Sequence, residues 1–155
     1  MLIRYYYPAD VKQIVRLFYT TVHTVNLCDY TLEQVNAWAS TVPNEAAWLA
    51  RYSDRIVFVA DDNGVVAGFA ELEPNGHVDC FYCHHSYQHW GVGRQLYQHL
   101  EQEANSLGLT RLFVESSITA QPFFGRMGFQ TLHENKILRN KVELTNFSME
   151  KYLSQ

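Results

Sequence analysis

Tyr87-Gln88-His89-Trp90-Gly91-Val92-Gly93-Arg94 stands between a strand-like run, His77 to Cys83, and a helical run, Arg94 to Leu107. Two glycines separated by one residue let the main chain turn tightly and bring consecutive N–H groups close to a ligand. A helix that starts at the second glycine directs its unpaired N–H groups and the positive end of its dipole at the same point. Strand, glycine turn and helix N-terminus together predict an anion site, most simply for a phosphate or pyrophosphate. The loop is not a Walker A sequence, because no Gly-Lys-Ser/Thr follows. Nor is it the dinucleotide pattern G-x-G-x-x-G, because the third glycine is missing.

Outward from this loop the chain reads as strands and helices in succession. Leu112 to Ser116 is a buried strand, and Ser117 to Phe129 then holds a short helix closed at Gly128, with Phe129 packing back on it. Upstream, Leu2 to Tyr6 is strand-like. Pro8-Ala9-Asp10 opens a helix whose apolar face is Val11, Ile14, Val15, Phe18 and Val22. Thr31 is placed to N-cap a helix carrying Val35 and Trp38 on one face, and a further helical turn or two covers Ala46 to Arg51. Three strands follow: Ile56 to Ala60, Val65 to Leu72 and His77 to Cys83. They are joined by turns at Asp61-Asp62-Asn63-Gly64 and Glu73-Pro74-Asn75-Gly76. A last strand pair is expected near Gln130 to Glu134 and Val142 to Met149. This order predicts an α/β fold in a single domain, residues 1–155, with a mixed sheet and helices on both faces.

Composition narrows the class. A chain of 155 residues suits one core, and 47% apolar with 18% charged residues describes a globular protein rather than a disordered one. No apolar run approaches the roughly 20 residues of a membrane helix, and the N-terminus lacks the n-region and h-region of a signal peptide. A net charge of -4 gives no basic footprint for nucleic acid. Three cysteines, an odd number, read as free thiols in a reducing, cytoplasmic compartment. Cys80 and Cys83, with His77, His84 and His85 close by, raise the possibility of zinc. On a strand, however, positions 80 and 83 fall on opposite faces, and no partner pair exists. No metal is expected, and the cysteines read as small buried hydrophobes.

The glycine loop resembles the Q/R-x-x-G-x-G/A segment of the GNAT superfamily of acetyl-CoA-dependent N-acetyltransferases, with Gln88, Gly91 and Gly93 at the fixed positions. The stretch Ser117-Ile118-Thr119-Ala120-Gln121-Pro122-Phe123-Phe124-Gly125-Arg126-Met127-Gly128-Phe129 is similar to the family's S-x-x-A-x-x-F-Y-x-x-x-G-F segment. The two occur in the family's order. The likeness is sharp from His77 to Phe129 and extends over the chain as element order, which implies a GNAT-like, mostly antiparallel sheet. It also implies acetyl-CoA as co-substrate. The pyrophosphate would lie on Gln88, His89, Trp90, Gly91, Val92, Gly93 and Arg94. The pantetheine arm would lie between the His77 and Leu112 strands, near Tyr82, Cys83, Ser117, Phe123 and Phe124. Cys83 stands where the family's strand bulges and pairs its backbone with pantetheine. Trp90, where a basic or small residue is common, is expected to pack beside the loop or cover the adenine end.

Acetyl transfer to an amine needs a base, because a protonated amine is not a nucleophile, and a proton for the departing thiolate. Alternation along the strand puts His77, Asp79, Phe81 and Cys83 on one face. The resemblance points to a carboxylate or histidine four or six residues before the Cys83 position. Asp79 is therefore the first candidate base, with His77 sharing or orienting it. Glu71 and Glu115 are in reserve, Glu115 having the same strand parity as Ser117. The tyrosine expected after Phe123 is here Phe124, which cannot donate a proton. Tyr82, Tyr87, the Ser117 hydroxyl or a water could take that part, or the thiolate could leave unprotonated, its pKa being near ~8.5. A strand N–H near Tyr82 or Cys83 would stabilise the oxyanion.

His23, Asn26, Cys28, Asp29, Tyr30 and Trp38, with Glu71 on a neighbouring strand, form an aromatic, partly polar set that suits a small amine. Residues 139–147 either line the same side or form an exposed hairpin. Strand edges at the C-terminus allow a homodimer. The expected function is direct transfer of the acetyl group to a small-molecule amine. The alternatives are a protein N-acetyltransferase and a CoA-binding regulatory domain without catalysis, the latter kept open by Phe124.

Overall fold

Two Asn-Gly turns set the first half of the sheet. Asn63 and Gly64 both adopt left-handed backbone (φ 51° and 95°), which matches the twist of a tight hairpin, and Gly76 (φ 95°) closes the second turn. A computed structural model of the chain describes residues 1–154. Its elements are β1 (Leu2–Tyr5), α1 (Val11–Thr24), α2 (Leu32–Trp38), α3 (Glu45–Arg51), β2 (Ile56–Asp62), β3 (Val65–Leu72), β4 (His77–Cys83), α4 (Val92–Ser106), β5 (Arg111–Ser117), α5 (Gln121–Arg126), β6 (Gln130–Arg139) and β7 (Val142–Tyr152). The seven strands form one mixed, mostly antiparallel sheet in the order β1-β2-β3-β4-β5-β7-β6. Thr31 caps α2 in a reciprocal box with Gln34. Pro8–Asp10 forms a single 3-10 turn leading into α1. The final strands are longer than the sequence suggests. Asn140 and Lys141 are both left-handed (φ 48° and 68°), so a two-residue turn keeps β6 and β7 paired to Arg139 and Val142.

Helices cover both faces. On one, Val92, Leu96, Leu100 and Ala104 of α4 and Phe124 of α5 pack on Phe58, Ala70, Val78, Leu112 and Val114. On the other, Val11, Ile14, Val15 and Val22 of α1 and Val35 of α2 pack on Val57, Val59, Phe69 and Leu144. Leu96, Leu100 and Ile14 have no exposed surface. Each such side chain contributes about 1.5–3 kcal/mol by leaving water.

Between these layers the sheet splits. β4 and β5 run parallel and pair only at His77 with Phe113 and Val78 with Val114. Beyond this point β4 stays with β3 as far as Cys83, while β5 stays with β7 as far as Ser117. The two strands thus form the sides of a wedge. A bulge lies at its apex. Ala70 pairs with Phe81 and Leu72 with Val78, so Asp79 and Cys80 together oppose the single residue Glu71. This corrects the simple alternation expected for β4. Val78, Phe81 and Cys83 face α4, whereas Cys80 and Tyr82 pack on the α1 side. Asp79 points with Cys80 toward Arg51 and Arg55.

Gly76 sits at the apex, its carbonyl accepting the N–H of Phe113. A Cβ there would lie 2.2 Å from the carbonyl oxygen of Arg111, whereas one on Gly64, at the same φ of 95°, would meet nothing within 4 Å. Gly64→Ala should cost about 1–2 kcal/mol from backbone strain alone. Gly76→Ala should cost about 1–3 kcal/mol more from the clash. Urea denaturation of the two variants measures the difference, and equal midpoints would disprove the steric account.

Candidate active site

The mouth of the wedge is an open cleft of about 560 Å³ between β4, α4, α5 and the C-terminal end of α1. α4 begins here with Gly91 as N-cap in left-handed backbone (φ 78°) and no side-chain cap. Its first main-chain bond joins the N–H of Gln95 to the carbonyl of Gly91. The N–H groups of Val92, Gly93 and Arg94 therefore lack partners among the described residues. Fifteen residues of aligned peptide dipoles place roughly half a positive charge at the same point. Arg94 and Arg126 add side-chain charge to the lining.

The strand side of the cleft offers an open edge. The His84 N–H bonds the carbonyl of Ala67, which fixes the antiparallel parity. Tyr82 then bonds β3, and the main-chain groups of Phe81 and Cys83 face the wedge. The Cys83 carbonyl confirms this direction by accepting Thr21 Oγ1–H at 3.2 Å and Gln88 Nε2–H at 2.9 Å. Ser117 lies across the gap. Its Oγ accepts the N–H of Ala120, leaving its own proton free to donate. Thr119 Oγ1, in the same lining, is buried without a partner among the described residues. Unpaired N–H groups, a free strand edge and an orphaned hydroxyl fit an elongated ligand with an anionic end and amide groups.

Several expected residues meet in this cleft: Tyr82, Cys83, Gln88, His89, Gly91, Val92, Gly93, Arg94, Ser117, Phe123 and Asn26. Some are used differently from the expectation. The amide of Gln88 fastens the loop to β4, so it positions rather than grips a ligand. Trp90 is 64% exposed and packs on Tyr87 outside the cleft lining. Phe124 is in the core beneath Phe81 and Phe129, also outside the lining. The Tyr82 ring is wedged between Phe18 and Phe69, and burial pushes its phenol up, keeping it neutral. Tyr87 donates its hydroxyl to Asp62. Thr21, Thr119 and Arg126 escaped the sequence reading. Only Arg126 left a trace there, four residues after Pro122 on the same face of α5.

The expected acid–base groups gather at the apex, outside the cleft lining. Glu71 is fully buried and saturated by Arg51 (2.7 Å), Arg55 (3.1 Å) and the Tyr52 hydroxyl (2.7 Å). Asp79 is held by Arg55 at 2.6 Å. His77 bridges Glu73 (2.7 Å) and Glu115 (2.8 Å). The Glu115 hydrogen bond above all, with that of Glu73, raises His77 from 6.5 to about 9 against the opposing effect of burial. His77 is therefore an imidazolium at neutral pH and holds no lone pair for a base's work. Glu115 is 47% exposed and uses one carboxylate oxygen on His77. It shares its strand face with Ser117.

On the expected acceptor side, His23 Nε2 is tied to the Ala39 carbonyl, and the Tyr30 hydroxyl donates to the Thr145 carbonyl while accepting the Ile118 N–H. Both act as struts, and Trp38 packs on Tyr30. Asn26 is buried yet reaches the cleft. Cys28 and Asp29 are exposed. Cys80 and Cys83 lie on opposite faces of β4, and burial pushes the Cys83 thiol up to about 12.

A splayed mixed sheet with an uncapped helix N-terminus at the mouth of the splay is the frame of an anion-binding cleft. The acetyltransferase (GNAT) domain model matches residues 26–151. The N-acetyltransferase YafP of Escherichia coli K12, itself uncharacterised, is 31% identical over 147 residues, 95% of this chain and 93% of that protein. The crystal structure of a GCN5-related N-acetyltransferase from Rhodopseudomonas palustris is 34% identical with a TM-score of 0.92, covering 98% and 95% of the two chains. A putative acetyltransferase, yncA of Salmonella typhimurium, whose structure includes acetyl-CoA, shares the fold at 21% identity and a TM-score of 0.78 over 100% of this chain and 95% of its own. The chain belongs to the GNAT family of acetyltransferases.

The raised His77 pKa is a statement about stability. The charged pair is fully present below the ordinary value of 6.5 and is lost as pH rises through about 9. His77→Gln should therefore lower stability by on the order of 1–3 kcal/mol near neutral pH, discounted for the exposed partner carboxylates. The deficit should shrink toward zero by about pH 10. Denaturant midpoints across that range measure it, and a pH-independent deficit would refute the ion-pair assignment.

Proposed function

We propose that the wedge binds acetyl-CoA and that the enzyme passes the acetyl group directly to the amine of a small molecule. The observation that carries this reading is the pairing of an uncapped helix N-terminus with an open strand edge in one cleft. Bound there, acetyl-CoA supplies an activated thioester. The N–H groups of Val92, Gly93 and Arg94, with the side chains of Arg94 and Arg126, hold the pyrophosphate. The main-chain N–H and carbonyl of Phe81 and the N–H of Cys83 pair with the pantetheine amides, the Cys83 carbonyl being held by Thr21 and Gln88, and a strand N–H takes the charge that develops on the thioester oxygen. Phe123 and Ala120 supply the apolar wall.

The contacts at the apex support acid–base roles other than those of the first candidates. Asp79 and Glu71 serve the arginines that hold the apex together. Glu115 is the carboxylate with room to accept the ammonium proton, directly or through water, and His77, fixed by Glu73, orients it. The Ser117 hydroxyl donates a hydrogen bond to the departing sulfur and relays to it the second proton that the attacking nitrogen loses as the amide forms. Three bonds fasten the β6–β7 hairpin to α2 and to the segment before it: Asn140 to the Ala37 carbonyl, Gln34 to that of Glu143, and Tyr30 to that of Thr145. This roof supports a small acceptor over an extended peptide, with Asn26 as the polar group available to it. Free thiols at Cys28, Cys80 and Cys83 are in keeping with a cytoplasmic enzyme.

Calorimetry with acetyl-CoA tests the cleft. A Cβ on Gly91 meets nothing within 4 Å, so Gly91→Glu costs only the left-handed backbone strain of about 1–2 kcal/mol, its fold is checked by thermal melting, and it puts a carboxylate where the pyrophosphate belongs. Its affinity should fall at least about tenfold, a difference of ~1.4 kcal/mol. Glu115→Gln should lower kcat by about 100-fold while leaving acetyl-CoA affinity unchanged. Tight binding without thiol release across an amine panel would favour the non-catalytic alternative. No binding to the folded wild type would sink the reading.

A further inference from the structure

The two edges of the sheet differ. β1, at one end, has four residues. β6, at the other, has ten, of which only Asn135 and Ile137 are partly covered. A long open strand offers a row of unpaired N–H and C=O groups, and proteins ordinarily shorten, cover or charge such an edge. β6 carries three formal charges, Glu134, Lys136 and Arg139, but the first two are opposite in sign, two residues apart and already paired with each other at 3.4 Å.

The hairpin turn fixes which groups point outward. Asn140 and Lys141 form a two-residue turn, so the flanking Arg139 and Val142 make a hydrogen-bonded pair. The register has no shift from His133 to Arg139. Arg139, Ile137 and Asn135 therefore bond β7, while the main-chain groups of Leu138, Lys136 and Glu134 face outward. A second β6 running antiparallel can bond this edge only in registers that oppose outward groups to outward groups. Centring the two-fold axis on Glu134 would oppose glutamate to glutamate, and centring it on Lys136 would oppose lysine to lysine. Centring it on Asn135 opposes Glu134 to the partner's Lys136 and the reverse.

We propose that β6 pairs with β6 of a second copy of this chain about a two-fold axis at Asn135, joining the two sheets into one. The pairing is isologous, so each contact occurs twice. It lies on the opposite side of β7 from β5 and the wedge, and leaves the cleft of each copy open.

Charge exchange in the full chain tests it, by sedimentation and light scattering over micromolar concentrations. The wild type should be a dimer. Lys136→Glu puts like charges opposite each other twice and should weaken the dimer by about tenfold or more. The double variant Glu134→Lys with Lys136→Glu is again self-complementary and should restore it. Circular dichroism and thermal melting check that each variant is folded. A monomeric wild type, a Lys136→Glu dimer as strong as the wild type, or a folded double variant that stays monomeric would each overturn the proposal.

Discussion

The carboxylate of Glu71 lies in the middle of the sheet with no exposed surface, and the shape of the wedge follows from keeping it satisfied. A buried carboxylate stripped of its partners would cost about 3–5 kcal/mol. Arg51, Tyr52 and Arg55 supply those partners, all from the end of α3 and the turn that follows. Two guanidiniums against one carboxylate leave an excess of positive charge. The bulge removes that excess, because it turns Asp79 to the same side as Cys80 and into contact with Arg55. Charge balance and strand geometry are thus one constraint. A bulged strand bends and twists more strongly. β4 leaves β5 directly after Val78, and the free edge of Phe81 and Cys83 results.

The wedge is consequently polar along its length. Its mouth carries the α4 N-terminus, Arg94 and Arg126. Its apex carries Glu73, His77 and Glu115, a cluster with one more negative than positive charge when His77 is protonated. On the proposed reading, a ligand with phosphates at one end is admitted one way round, and an approaching ammonium is drawn to the opposite end. The chain's net charge of -4 hides this arrangement, because the mouth owes much of its positive character to main-chain dipoles.

Features set by local chemistry were legible in the sequence. The Asn63-Gly64 turn, the Thr31 cap and the glycine loop each depend on a few adjacent residues, and each is where the sequence placed it. The family resemblance located the cleft for the same reason. The bulge that the resemblance put at Cys83 lies instead at Asp79 and Cys80, because it is a property of the pairing with Glu71 rather than of β4 alone. Strict alternation consequently misassigned the faces of that strand. The reach of β6 was missed because Asn140-Lys141 lacks the glycine that advertises a two-residue turn. Tyr30 and His23 looked like ligand contacts. Their partners are main-chain carbonyls of distant segments, which no sequence pattern records.

Phe124 bears on the leaving-group proton. Its ring is 2% exposed and packs against Phe81, Phe123 and Phe129. A phenol there would need a hydrogen-bond partner inside an aromatic cluster, and a buried hydroxyl without one costs about 1–3 kcal/mol. Phenylalanine therefore suits the packing of α5 as it stands. The chemistry moves to groups that do line the cleft. The Tyr87 hydroxyl already donates its hydrogen bond to Asp62, and the Tyr82 ring packs between Phe18 and Phe69. The Ser117 hydroxyl already accepts the Ala120 N–H, which orients its lone pairs away from the gap and leaves its proton to point across it. On the proposed reading, the absence of tyrosine reassigns the donor to β5, two residues along the same strand face from Glu115. The base and the hydroxyl that relays the nitrogen's second proton to the sulfur then share one strand.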